Sequence, residues 1–286
     1  MEYFPGIKTK ATILNMQKSF QYFQKKISYR VVGKGEPVVL IHGFGEESHI
    51  WDRQIAFLQN HCLLIVPDLP GSGLSEIIQP DNLNKESGLS ISILDYANVI
   101  ASILNEESIS KCIMIGHSMG GYITLAFEEI FPEMLLKFGL VHSSAIADSE
   151  EKKSNRLKGI ELMELYGAGP FLKNTIPNLF SATFKKDHSA LVSQLIESAL
   201  TFNTQACQQY YQAMMNRPDR TSLLKGNPKP ILFVIGTEDV AAPLVDLLPQ
   251  IQLPVLPTVH ILEGVGHMGM WEAAEQLNRF LLDFIH

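Results

Sequence analysis

The stretch CIMIGHSMGGYITLAFEEIF, residues 112–131, joins a strand pattern to a helix pattern through a serine flanked by glycines. Its first residues form an apolar run typical of a buried strand, and residues 122–131 have helical periodicity. Gly116 and Gly120 lie two positions before and after Ser118. A turn this sharp strains the backbone of the serine, and glycines at this spacing leave room for it. We interpret the stretch as a nucleophile elbow that exposes the Ser118 hydroxyl at a sheet edge.

Outside this stretch, continuous apolar runs recur along the chain, at residues 37–41, 63–66, 138–141, 231–235 and 259–262. Parallel strands that helices cover on both faces have this pattern. Helical patterns such as residues 94–104 alternate with the runs, which predicts an α/β fold with a doubly wound, mostly parallel sheet. Aromatic and β-branched residues at 19–32 predict one or two antiparallel strands before it.

Residues 143–225 interrupt this alternation, because they are charged, have helical periodicity and contain no convincing strand pattern. We predict that they form a helical lid inserted into a core made of residues 1–142 and 226–286. Some of the large apolar side chains of the segment are candidates for lining a pocket, although packing onto the core is the more common role for any one of them. They are Met163, Tyr166, Phe171, Phe180, Phe184, Phe202, Tyr210, Tyr211, Met214 and Met215.

An acid and a histidine follow the elbow in positions that suit catalysis. Asp239 comes just after the apolar run 231–235, and His267 comes just after the run 259–262. Sites in open α/β sheets form at the carboxyl ends of strands. Ser118 needs an imidazole to take its proton, and that imidazole needs a carboxylate to orient it, so we assign these roles to His267 and Asp239. The neighbouring Glu238 is the alternative acid.

The other histidines lack the glycine-flanked loop that surrounds His267. We expect His42 and His117 to be scaffold residues beside the site. The remaining six have no mark that distinguishes them, namely His49, His61, His142, His188, His260 and His286.

The segment His42-Gly43-Phe44-Gly45 follows the first parallel strand pattern. Its glycines let the backbone approach an acyl group, so we expect an oxyanion hole built from the N–H groups of Phe44 and Met119. A plain glycine-rich turn is the alternative. We expect substrate contacts from Phe44, Trp51, Met119, Tyr166 and Met268.

Composition excludes several classes of function. The net charge of −7 provides no basic surface for nucleic acid. The three cysteines are an odd number, which favours a reduced, cytoplasmic protein. We expect no secretion signal, no membrane span and no zinc site, since the apolar segments are short and no Cys/His cluster has ligand spacing.

Several motifs in order resemble the α/β-hydrolase superfamily. They are His42-Gly43-Phe44-Gly45, Trp51, Asp68-Leu69-Pro70-Gly71-Ser72-Gly73-Leu74-Ser75, the elbow at 116–121, Gly236-Thr237-Glu238-Asp239 and Gly266-His267-Met268. The resemblance covers about residues 19–285, whereas residues 1–18 match no family element. Asp68 is expected to brace its loop rather than to act on substrate. The segment at 68–75 is similar to that of small-lid members such as carboxylesterases and carbon–carbon bond hydrolases.

This resemblance implies a serine hydrolase that cleaves a small carboxylic ester or related acyl compound through an acyl-serine, without cofactor or metal. Relatives that use an aspartate nucleophile, such as haloalkane dehalogenases, are disfavoured because position 118 is serine. Two alternatives stay open: a carbon–carbon bond hydrolase of ring-cleavage products, and a ligand-sensing signalling protein with an intact triad. The natural substrate and the oligomeric state are left open.

Overall fold

This computed structural model describes residues 17–83 and 90–286. Residues 1–16 lie outside the described residues, so most of the unmatched N-terminal segment has no structural account. The described chain contains eight strands in a single sheet, in the order β1-β2-β4-β3-β5-β6-β7-β8. Their bounds are β1 Gln17–Tyr22, β2 Lys25–Gly33, β3 Pro37–Ile41, β4 Leu63–Pro67, β5 Cys112–His117, β6 Leu135–Val141, β7 Pro230–Gly236 and β8 Leu256–Leu262.

The α-helices of the described residues lie between and after these strands. In chain order they are α1 Asp52–Leu58, α2 Ile93–Glu106, α3 Met119–Ile130, α4 Glu150–Tyr166, α5 Ala168–Thr175, α6 Ala182–Asp187, α7 Ser189–Ala199, α8 Thr204–Met215, α9 Thr221–Leu224, α10 Leu244–Leu247, α11 Gly269–Glu272 and α12 Ala274–Ile285. Short 3-10 helices span Ser48–Trp51, Pro80–Leu83, Pro132–Met134 and Ile176–Leu179. No helix within the described residues has the length and apolar character needed to cross a bilayer.

Strand directions confirm the predicted mostly parallel sheet. β1 pairs antiparallel with β2, and β2 pairs antiparallel with β4. Every later pairing, from β4 across to β8, is parallel. The carboxyl ends of β3, β5, β6, β7 and β8 therefore meet at one edge of the sheet, which brings together the loops that follow them.

The core consists of two apolar layers, one on each face of the sheet. Alternate residues of β3 serve the two layers: Val39 and Ile41 pack with α2 and α3, whereas Val38 and Leu40 pack with α1 and α12. This alternation follows from the two-residue period of a strand. Because both faces are covered, the strands consist of nearly continuous apolar residues.

Residues 143–225 contain helices and no strand, as their periodicity predicts. The first helix, α4, is capped by Ser149, whose side chain accepts a hydrogen bond from the Lys152 N–H at 3.2 Å. The segment also touches the sheet edge, because the N–H of His267 donates to the carbonyl of Leu179 at 2.6 Å. That the segment acts as a lid stays a prediction.

Candidate active site

The elbow has the strained turn that its glycine spacing predicts. Ser118 immediately precedes α3 with φ 50° and ψ −116°, a region that non-glycine residues rarely adopt. A Cβ at Gly116 would lie 2.2 Å from the carbonyl of Gly120, and one at Gly120 would lie 2.3 Å from the carbonyl oxygen of Ile41. Both positions therefore require glycine. The strained backbone is held by a hydrogen bond from the Ser118 N–H to the Val141 carbonyl, at 3.0 Å.

Asp239 and His267 form a hydrogen-bonded pair after β7 and β8. His267 Nδ1 lies 2.8 Å from Asp239 Oδ2, and both side chains are almost fully buried. Asp239 Oδ1 accepts hydrogen bonds from the N–H groups of Ala241 and Ala242, at 2.9 Å each. Since an ionised carboxylate can only accept, Nδ1 of His267 carries the hydrogen and Nε2 is left with its lone pair. That is the tautomer a general base needs.

Burial and charge oppose each other in this pair. Burial alone raises the pKa of Asp239, but the charge of His267 and the hydrogen bonds from its imidazole partners outweigh it and hold that pKa far below its usual value. Burial likewise lowers the pKa of His267, but the charge and hydrogen bond of Asp239 outweigh it, with smaller contributions from Glu46 and Glu272. The net pKa of His267 is raised, which means that Asp239 stabilises the imidazolium form more than water does.

The alternative acid does not face the histidine. Glu238 is exposed, whereas Asp239 is buried and contacts the imidazole of His267. The structure therefore pairs His267 with Asp239, as the loop position suggests.

Ser118 and His267 lie at the same edge of the sheet. The ring of His267 is 4.8 Å, centroid to centroid, from the ring of His117, which directly precedes the serine. Among the hydrogen bonds of residues 17–83 and 90–286, none joins Ser118 Oγ to the imidazole of His267. Such bonds are often long without substrate and tighten in the reacting complex.

The loop after β3 lies against the elbow. A Cβ at Gly43 would be 3.1 Å from Ser118 Cβ. The N–H groups of Phe44 and Met119 donate no hydrogen bond within the described part of the chain. Met119 is the first residue of α3, where the N–H has no intrahelical partner. Both N–H groups are therefore without a partner in the described part of the chain.

Glu46 is a buried acid of the site that the sequence does not reveal. Its Oε2 accepts hydrogen bonds from the Gly43 N–H at 2.6 Å and from His117 Nδ1 at 2.9 Å. His117 Nε2 in turn lies 3.0 Å from the carbonyl oxygen of His267. Burial raises the pKa of Glu46, but the charge of His117 and these hydrogen bonds outweigh it, so the pKa is lowered. Glu46 thus ties the loop after β3 to the loop that carries His267.

His142 is the second residue that sequence reasoning missed. It follows β6 and is fully buried, and its Nδ1 lies 3.0 Å from Asp239 Oδ2, the oxygen that also accepts from His267. These three side chains form the one cluster of potential metal ligands in the described chain. Both Nδ1 atoms are at hydrogen-bond distance from one carboxylate oxygen, so their N–H groups point at it. The distances fit a carboxylate oxygen that accepts from two imidazoles.

The residues expected to contact substrate lie in different environments. Phe44 is half-buried and its ring is 4.4 Å from that of Tyr211. Met119 and Met268 are fully buried next to Ser118 and His267 in the chain. Trp51 is also fully buried, within the core layer of α1 and α12. Tyr166 is 67% exposed at the end of α4, so the structure places its ring in solvent rather than in an enclosed pocket.

Most apolar side chains of residues 143–225 that were candidates for the pocket pack into the core layers. The fully or almost fully buried ones are Met163, Phe180, Phe184, Tyr210 and Met214. Their burial supports the packing role. Asp68 has the bracing contacts expected of it, since its carboxylate accepts from the N–H groups of Ser48 at 2.9 Å and Leu74 at 3.0 Å. His42 also has a scaffold contact, because its Nε2 accepts from the N–H of Leu69.

Comparison with known proteins identifies the family. A model of the alpha/beta hydrolase family matches residues 38–280, which is most of the chain. The protein therefore belongs to the alpha/beta hydrolase family, as its motifs indicate.

Three similar proteins have names that describe different enzymes. The chain is 26% identical over 283 residues to a 2-hydroxy-6-oxononadienedioate/2-hydroxy-6-oxononatrienedioate hydrolase of Burkholderia vietnamiensis, covering 91% of each protein. It is 28% identical over 263 residues to the dihydrolipoyllysine-residue acetyltransferase component of an acetoin cleaving system of Pseudomonas putida, covering 88% of this chain but only 64% of that protein. A malate-bound thermophilic esterase from Thermogutta terrifontis superposes with a TM-score of 0.83 at 25% identity, covering 92% of this chain and 95% of the esterase.

Proposed function

We propose that the protein is a serine hydrolase that cleaves a small carboxylic ester or related acyl compound through an acyl-serine intermediate. The observation that carries the proposal is the geometry of the sheet edge, where a strained Ser118 follows β5 and a buried Asp239–His267 pair follows β7 and β8. In this proposal Ser118 is the nucleophile, His267 the general base and Asp239 the orienting acid. The N–H groups of Phe44 and Met119 form the oxyanion hole.

The reaction proceeds in two halves that balance in protons. Ser118 Oγ attacks the carbonyl carbon of the ester while His267 Nε2 takes its proton, and the carbonyl oxygen becomes an oxyanion bound by the two N–H groups. The tetrahedral intermediate then expels the alcohol, which takes the proton from His267. Water attacks the acyl-serine in the same way, and the acid leaves while Ser118 recovers its proton. Asp239 stays ionised and stabilises the imidazolium in both halves.

Carbon–carbon bond hydrolysis is the second candidate, and the similarity to the Burkholderia hydrolase over 91% of both proteins favours considering it. Esterases are likewise among the similar structures. Both reactions use the same nucleophile and base positions, so the site geometry alone favours neither. The ester is kept as the first candidate, and substrate panels decide between the two.

Labelling with a fluorophosphonate tests the nucleophile directly. We expect one adduct, on the peptide that contains Ser118, and no adduct in Ser118→Ala. Ser198→Ala is the matched control, because that serine is exposed on α7 and should leave labelling unchanged. An adduct on another residue of the folded protein, or none, would contradict the proposal.

Substrate panels then separate the candidate functions. Ser118→Ala should lower kcat for p-nitrophenyl esters by several orders of magnitude with little change in stability. Rapid turnover of short-chain esters supports the esterase. Turnover of 2-hydroxy-6-oxo-dienoates with no turnover of esters would favour the carbon–carbon bond hydrolase. Stoichiometric acylation without turnover would favour a ligand-sensing protein.

A further inference from the structure

His142 occupies its position at an evident structural cost. Its backbone has φ 50°, a conformation that non-glycine residues rarely adopt. Its Nε2 is buried and has no hydrogen-bond partner within the described residues. Strained backbones and unsatisfied buried atoms are uncommon and cluster at functional sites. Both features fall here on one side chain that touches the triad acid.

Two neighbouring glycines leave room for this imidazole. A Cβ at Gly269 would lie 2.3 Å from His142 Nε2, and one at Gly236 would lie 3.1 Å from its Cε1. The ring therefore fills a space between the loops after β7 and β8. Since the space is closed, the imidazole cannot turn away from Asp239 without moving the backbone.

The tautomer of His142 follows from its partner. Asp239 Oδ2 can only accept, so His142 Nδ1 must donate to it, at 3.0 Å. The same oxygen accepts from His267 at 2.8 Å, and Oδ1 accepts two backbone N–H groups. Four donors thus saturate the carboxylate. Two of them are imidazoles, and of these His142 has an Nε2 that is buried without a hydrogen-bond partner in the described chain.

We propose that His142 is a positioning residue that shares the Asp239 carboxylate with His267, holding Oδ2 toward His267 and limiting how strongly His267 retains a proton. The inference rests on the proposed function, because it concerns the general base of that reaction. A neutral N–H aimed at Oδ2 reduces the negative potential that the carboxylate exerts on His267. His267 then remains available as an unprotonated base nearer neutral pH than an unshared pair would allow.

Other titratable groups near the two imidazoles also affect their pKa values. The His117 ring lies 6.1 Å from His142 and 4.8 Å from His267, centroid to centroid. Glu46 and Glu272 favour the charged form of His267. His142 itself stays neutral, because burial, the largest effect, lowers its pKa despite the opposing Asp239. None of these groups replaces the N–H of His142 at Oδ2.

Two substitutions separate the hydrogen bond from packing. His142→Ala removes the donor. His142→Asn keeps an N–H₂ group bonded to Cγ, at the same place along the side chain as Nδ1, and asparagine tolerates positive φ. The readout is the pH profile of kcat/KM on a p-nitrophenyl ester, measured at the isosbestic wavelength of the released phenol. Thermal melting checks that both variants fold.

We expect His142→Ala to raise the apparent pKa of the profile by about half a unit to one unit, the size of the net contribution of one ordinary hydrogen bond. His142→Asn should restore the wild-type pKa. A lower plateau in both variants with an unchanged pKa would show a purely structural role and overturn the proposal. Unchanged profiles in both would also overturn it, while fluorophosphonate labelling of Ser118 would leave the serine-hydrolase assignment intact.

A measurement on the unmodified protein covers the case in which neither variant folds. In protein labelled with ¹⁵N-histidine, His142 should remain a neutral Nδ1–H imidazole throughout the pH range in which His267 titrates. An Nε2–H tautomer at His142, or titration of His142 in place of His267, would overturn the proposal.

Discussion

Replacing Glu46 by glutamine tests whether the buried acid between the two active-site loops stabilises the fold. Glu46 is 6% exposed, and its Oε2 accepts from both Gly43 and His117. An amide offers one neutral acceptor oxygen in place of a charged carboxylate. Placed where Oε2 lies, that oxygen can still accept from both Gly43 and His117, but without the charge that strengthens the bond to His117. The adjacent Glu47→Gln is the matched control.

The magnitude follows from the negative charge that the substitution removes. A hydrogen bond to a charged group contributes about 1.5–3 kcal/mol, and removing one member of a buried ion pair costs about 3–5 kcal/mol. The amide of the variant keeps a neutral acceptor at the same place, which limits the second cost. We therefore expect Glu46→Gln to lower the free energy of unfolding by about 2–3 kcal/mol, or roughly 3–5 °C in Tm for a chain of this size.

The pH dependence of the loss has a definite sign. The folded pKa of Glu46 is depressed, so the unfolded chain takes up its proton first, near the ordinary glutamate pKa of about 4.3. The stabilisation is complete above that pH and disappears as the pH falls through the folded pKa. The difference in stability between wild type and Glu46→Gln should thus be constant from pH 7 to about pH 5 and shrink at lower pH.

Urea unfolding of wild type and the two variants, repeated across this pH range, provides the measurement. The pKa of Glu47 is raised, chiefly by burial and then by the charge of Asp68. Glu47→Gln should therefore leave stability at pH 7 unchanged or slightly higher. If Glu46→Gln proves as harmless as Glu47→Gln, or if its deficit persists undiminished well below pH 4, the assignment of Glu46 as a buried, ionised brace is refuted.

Further predictions concern the remaining groups of the site. Asp239→Asn should lower kcat by about 10⁴-fold with the fold intact, because the amide favours the wrong imidazole tautomer. Glu238→Gln should leave kcat nearly unchanged. If steady-state kinetics show the reverse order, the acid of the site is Glu238 and not Asp239. The kcat/KM of the wild type should rise with pH through an apparent pKa above the ordinary imidazole value of about 6.5. The reason is that His267 acts as a base only when unprotonated, and its pKa is raised. A kcat/KM that falls over this pH range would exclude His267 as the base. Gly120→Ala should remove activity and destabilise the protein by more than about 3 kcal/mol, since the added Cβ would collide with backbone atoms. Gly139→Ala should be milder, because the Cβ there would contact only side chains, at 3.3–3.4 Å. Thermal melting followed by circular dichroism compares the two variants.

The sequence was sufficient for the sheet and for the residues proposed to react. Continuous apolar runs mark strands that helices cover on both faces, and this pattern is local in the chain. The glycines at 116 and 120 likewise act within one turn. Asp239 and His267 could be chosen because each follows a strand, and parallel strands end at a common edge. Periodicity and local spacing were therefore enough to predict most of the architecture.

Tertiary structure alone decided which side chains meet at that edge. Glu46 and His117 are 71 residues apart, and His142 and Asp239 are 97 residues apart. These pairs meet because β3 lies beside β5 and β6 lies beside β7, and strand order is not encoded in the local pattern of any segment. Burial also differs between adjacent residues of the same type, since Glu46 is buried while Glu47 is half-buried. In the same way, Tyr166 faces solvent despite its apolar ring. A side chain's charge and contacts depend on what packs around it, which only the folded chain determines.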